Sequence, residues 1–134
     1  MTLRIVPAAL FIAIIAAPAL AERNLVPSLE NAPDVCLDRP AEPDWMQDIA
    51  LREAYKRVLV QDIYRAQSLE RVVETETCDC ETRFPPWDSA EATFFDEFAN
   101  AERWEMLEAS DAFNRRANAA RPEAMVICDA AGNW

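Results

Sequence analysis

A chain of 134 residues with a formal charge of −11 and no histidine is confined to a narrow set of roles. Its 24 acids outnumber 13 basic residues and leave little to neutralise a phosphate backbone or an anionic lipid surface. Without histidine the commonest general base is missing, together with Ser-His-Asp nucleophiles and most catalytic zinc sites.

The chain opens on a leader pattern. Arg4 supplies a positive start, Ile5 to Ala17 form an uncharged apolar run, and Ala19-Leu20-Ala21 follows Pro18 as a small-x-small cleavage site. This predicts a signal peptide over residues 1–21 and a mature chain that begins at Glu22. The run is shorter than the ~20 residues of a membrane span, so no span is expected after cleavage. Glutamate in place of cysteine after the cut argues against a lipid anchor. Periplasm or secretion is the expected destination. The remainder is enough for one domain with one core. Its acidity serves solubility or steers a basic protein partner towards it, and no nucleic-acid partner is expected.

Residues 22–43 carry Pro27, Pro33, Pro40 and Pro43 with no periodic apolar face, which reads as an extended arm tied down by Cys36. A helical domain is expected over 44–134. Asp44 is placed to cap a helix whose inward face holds Leu51, Tyr55, Val58, Leu59, Ala66, Leu69 and Val73. As one straight rod to Thr77 it would approach 50 Å at about 1.5 Å per residue, so a break is expected near Gln67-Ser68 with Ser68 as the second cap. After the turn from Thr75 to Pro86, Asp88 and Glu91 suggest a capping box. Phe94, Phe98, Ala101, Ala109 and Ala112 then share a face, flanked by Phe95, Met106 and Phe113. Trp104 and Leu107 lie off it, implying a kink near Asn100 or a second apolar surface. That helix is expected to end near Asn118, with Pro122 starting a last short helix and Gly132, the only glycine, stopping it. No hairpin signal is present. The expected fold is all-α: a small disulfide-stapled bundle of three to four helices.

Four cysteines, Cys36, Cys78, Cys80 and Cys128, point to an oxidising compartment. Three readings of Cys78-Asp79-Cys80 stand open. Both sulfurs bridge outward, to Cys36 and Cys128; or they bridge each other while Cys36 pairs with Cys128; or they remain thiols for redox exchange or Cu(I). The local bridge would close a strained ring, and four cysteines allow three connectivities. No βαβ pattern supports a thioredoxin-like context.

Other constellations are weaker. Asp62 falls within the apolar stripe and is expected to pair with an arginine of the facing helix, the alternative being a poised carboxyl with a raised pKa. Phe84 and Trp87, stiffened by Pro85 and Pro86, serve either as interface anchors or as a plug for the end of the bundle. Arg103 to Leu107, which includes Trp104, and the terminal Trp134 offer two further patches.

Three runs carry a resemblance: Cys78 to Asp88 (CDCETRFPPWD), Glu102 to Asp111 (ERWEMLEASD) and Cys128 to Trp134 (CDAAGNW). They resemble small exported four-cysteine helical proteins of alphaproteobacterial type IV secretion and conjugation gene clusters. The resemblance implies a context of secretion or conjugation and carries over nothing beyond that context. The expected function is therefore a non-enzymatic periplasmic accessory or adaptor that docks on a protein through Phe84, Trp87 and Trp104, without cofactor or metal. The alternatives are a thiol-redox or copper-handling protein using Cys78 and Cys80, or a small inhibitor whose acidic face blocks a basic enzyme.

Overall fold

The computed structural model describes residues 36–134, and over that span the fold is all-α and stapled by two disulfides. The expected leader and the first part of the arm lie outside the described residues. A single helical turn, α1 (Asp44–Gln47), and a 3-10 turn (Leu51–Glu53) lead into α2 (Ala54–Thr75). The one-turn helix α3 (Cys80–Arg83) follows, then α4 (Asp88–Glu97) and α5 (Arg103–Ala130). Among the described residues no strand forms, and no helix is long and apolar enough to cross a membrane.

The two long helices run side by side in the same direction. Arg103 lies over the ring of Tyr55, Ser110 donates to Asp62, Arg65 reaches Asn114, and Cys78 just past α2 is bonded to Cys128. Each pair joins a residue of α2 or its exit to one about fifty positions later, so both helices begin at one end and finish at the other. The return leg includes α4, which packs on α2. Between the helices lie Leu59, Val60, Ile63, Ala66 and Val72 of α2 with Phe94, Met106, Ala117, Ala124 and Cys128, all but fully removed from water. Burying each large aliphatic side chain contributes about 1.5–3 kcal/mol before chain entropy is set against it.

The helix boundaries differ from expectation in three places. First, α2 passes through Gln67-Ser68 unbroken, and Ser68 is buried in its inward face and caps nothing. The break falls earlier, at Asp48–Glu53, where tertiary packing overrides propensity. Trp45 of α1 stacks on Phe94 at 5.6 Å and donates Nε1–H to Glu91 at 2.7 Å, and Met46 beside it is wholly buried. These contacts fold the first turn back over α4. Second, Glu91 is thereby taken from the expected capping box with Asp88; α4 starts after Trp87 with no side-chain cap. A capping box does form, between Glu102 and Glu105 at the start of α5. Third, Pro122 lies inside α5 and does not open a new helix. It removes one backbone donor, but Pro122 and Asn118, whose carbonyl loses that donor, are both exposed to water. The helix expected from Asp88 to Asn118 is in fact two, with a full break between Glu97 and Arg103 where a kink near Asn100 was one of the two readings.

Gly132 stops α5 as expected, at φ +69°. Its N–H bonds to Asp129 O at 3.0 Å and that of Asn133 to Cys128 O at 2.8 Å, the two bonds of a Schellman stop. The left-handed turn swings the Asn133 side chain inward, where Nδ2 donates to Cys78 O at 2.7 Å. Gly132→Ala leaves the space around the new methyl open but imposes a left-handed backbone on an L-residue. We expect a loss of about 1 kcal/mol and a melting temperature lower by about 4–8 °C in thermal denaturation.

Candidate functional site

The described features with chemical character gather where α2 and α5 end. The organising residue is Asp79. Its Oδ1 accepts the Thr82 N–H at 2.7 Å and caps α3, and that bond, before any other influence, holds the carboxyl below the usual aspartate range. Extended backbone at the cap sends its two neighbours opposite ways. Cys78 turns inward, 4% exposed, and bonds to Cys128; Cys80 turns outward and bonds to Cys36. The Cα–Cα separations are 5.1 and 5.3 Å. The outward pairing is thus the one adopted, and the local Cys78–Cys80 bridge is not. No cysteine is free, so neither sulfur is a thiol. Among the described residues no group of three or more histidine, cysteine or acidic side chains is arranged to hold a metal ion. Two internal disulfides suit an oxidising, exported environment.

The described part of the arm is fastened three times over, twice near this turn and once to the start of α2. Cys36 is bonded to Cys80, Pro40 O accepts the Trp87 Nε1–H at 3.3 Å, and Glu42 accepts from Arg57 and Gln61 of α2. Trp87 in turn stacks on Tyr64 at 3.8 Å between ring centres, and the Tyr64 hydroxyl donates to Pro85 O at 2.9 Å. Burial raises the pKa of that hydroxyl. Trp87 is half-buried, with one ring face and its N–H both engaged, which suits a plug better than an anchor.

Phe84 has a different setting. Arg39 covers its ring at 4.0 Å and Arg83 approaches it at 5.2 Å; Arg83 also lies over Trp134 at 4.3 Å, with Arg121 at 5.4 Å. This alternation of guanidinium and aromatic borders a cleft of about 370 Å³. Trp104 is not part of it. It stands 64% exposed in the first turn of α5, at the end away from the disulfides, where Leu51, Val58 and Leu107 are exposed as well. The candidate patches thus stand at opposite ends of the long helices, Phe84, Trp87 and Trp134 at one and Trp104 at the other.

Compared with family models, with curated proteins and with solved structures, the chain matches none.

Asp62 requires a correction. Its side chain is half-buried and accepts a hydrogen bond from Ser110 Oγ of α5, with no arginine in ion-pair range among the described residues. The neighbouring arginine is occupied elsewhere: Arg65 donates to Asn114 Oδ1 at 3.1 Å and Asn118 Oδ1 at 2.9 Å. A neutral hydroxyl is a cheaper partner for a half-buried carboxylate than a second desolvated ion. The arginine–aromatic cluster was the feature that spacing could not disclose. Arg39, Arg83 and Arg121 lie far apart in sequence, and the available hint was compositional, a single lysine, Lys56, in a chain with 13 basic residues.

Two outcomes follow. Asp62→Ala should cost about 1–3 kcal/mol in chemical denaturation, the figure for one buried hydroxyl stranded at Ser110, and not the larger penalty of a stranded arginine. Asp79, with its depressed pKa, contributes stability that is complete above the unfolded aspartate value of about 4 and is lost as pH falls through the folded value. The Asp79→Asn variant keeps a capping side chain without the charge. The stability difference between the parent and Asp79→Asn, read from melts between about pH 6 and pH 2, should therefore shrink on acidification; a constant difference would contradict the assignment.

Proposed function

We propose that the chain is a non-enzymatic accessory or adaptor protein of the periplasm or extracellular space that works by docking on a protein partner. The setting we infer is a type IV secretion or conjugation apparatus, on the strength of the resemblance carried by Cys78–Asp88, Glu102–Asp111 and Cys128–Trp134. The observation that carries the docking reading is Trp104. A tryptophan 64% exposed at the start of a long helix, with Leu51, Val58 and Leu107 also uncovered at that end, packs little of its surface against the described residues. Tryptophan gives a large contact area for little side-chain entropy, and such anchors dominate protein interfaces. The disulfides support a location outside the reducing cytoplasm. All four sulfurs are already engaged, so a redox or copper role would first need a bridge opened.

The test is affinity capture from the envelope fraction with the protein and with a Trp104→Ser, Leu107→Ser double variant. Both side chains are exposed, so helicity should be unchanged. The parent should retain a component of an envelope-spanning assembly, and the variant should lose it by about tenfold or more. Equal retention by both would remove the basis for the docking reading.

A further inference from the structure

In a chain with 24 acids, the cleft at the cysteine end is lined by arginines, and none of the described acidic side chains lines it. Arg65, Arg83 and Arg121 border it, together with Tyr64, Phe84 and Trp134. The ion pairs formed among the described residues use Lys56, Arg57 and Arg116, and none involves the cleft arginines or Arg39 on its rim. Like charges are thus gathered and left without a described counter-ion, held by ring faces and by the amides of Asn114 and Asn118. Burial, and after it the charges of Arg39 and Arg121, depresses the pKa of Arg83. Ser68, 6% exposed, and Leu69 close the α2 side of the cleft.

We propose that this cleft binds a carboxylate carried on an apolar body, presented as a short acidic and hydrophobic peptide segment of the docking partner. The assignment rests on the docking function above. Guanidinium groups take a carboxylate through paired N–H donors, and the aromatic faces beside them accept an apolar side chain. The cleft volume of about 370 Å³ is at the lower end for small-ligand sites and suits one or two side chains. A polyanion or an anionic membrane is disfavoured because the chain as a whole, at −11, repels it. The recognised group is a single anion among apolar contacts.

The probe is the peptide acetyl-Phe-Glu-Leu-Glu-Leu-amide, titrated into the oxidised protein and followed by calorimetry and by tryptophan fluorescence, since Trp134 lines the cleft. Its glutamine counterpart and inorganic phosphate are run beside it. The expected result is saturable binding of the acidic peptide, about tenfold or more weaker for the glutamine peptide and for Arg83→Gln. Arg121→Gln, at an exposed position, should weaken it similarly, which guards against a variant that merely misfolds. The Trp104→Ser, Leu107→Ser variant should bind the peptide like the parent. Equal affinity for the acidic and neutral peptides, or no binding of the acidic one, overturns the proposal. So does phosphate binding as tightly as the peptide, which would mark a bare anion site. If the peptide fails while partner capture persists in Arg83→Gln, the cleft assignment falls and the docking reading stands; if capture alone fails, the reverse holds.

Discussion

Cys78 and Cys80 are separated by one residue, yet they anchor opposite sides of the fold, and the rest of the domain depends on that divergence. Asp79 makes it possible by ending the extended chain and starting α3 in the same step. The inward sulfur welds the end of α2 to the end of α5, and the outward one holds the arm. The bridges close loops of sequence separation 44 and 50 that overlap only at the turn itself. In the chain-entropy account each removes about 4 kcal/mol of freedom from the unfolded chain, comparable with the whole stability of a small domain. Asn133, set by Gly132, adds a hydrogen bond to the carbonyl of Cys78 and closes the junction from the other side.

The weld also explains why two long helices can lie parallel. Antiparallel helices need a short loop, whereas parallel ones need a connection that travels back along their length. Here α4 makes that journey, and the aromatic cluster of Trp45, Phe94 and Phe95 covers it. A parallel pair has two unlike ends. One is rigid, covalently closed and rich in arginine–aromatic contacts; the other, at the helix starts, leaves Trp104 and Leu51 in water. A division of labour between the two ends, one for an apolar contact and one for an anionic group, is what the proposed functions describe.

Much of this could be read from the residues. Helical periodicity, the absence of strand signals and the cysteine spacing led to the all-α stapled fold, and Gly132 marked the last helix end. What failed did so for tertiary reasons. Ser68 has the chemistry of a cap, but it faces the core. Glu91 has the spacing of a capping box, but Trp45 claims it. Pro122 has the look of a helix start, but water on the exposed side of α5 lets the helix run past it. Asp62 was placed on the right helix and assigned the wrong partner, because pattern cannot tell whether the facing helix will offer it an arginine or the hydroxyl of Ser110. The arginine cleft had no local pattern at all: its members are brought together by the same disulfide turn that the spacing of Cys78 and Cys80 announces.

The central claim is the pair of outward bridges, with the buried one as the structural weld. Non-reducing proteolysis and mass spectrometry, repeated after graded exposure to a mild reductant, tests it most directly. Peptides joining Cys36 to Cys80 and Cys78 to Cys128 are expected. The bridge with the exposed Cys80 should open first, while the bridge between the buried Cys78 and Cys128 persists until the helices unfold. A peptide joining Cys36 directly to Cys128, with Cys78 bonded to Cys80, would contradict it.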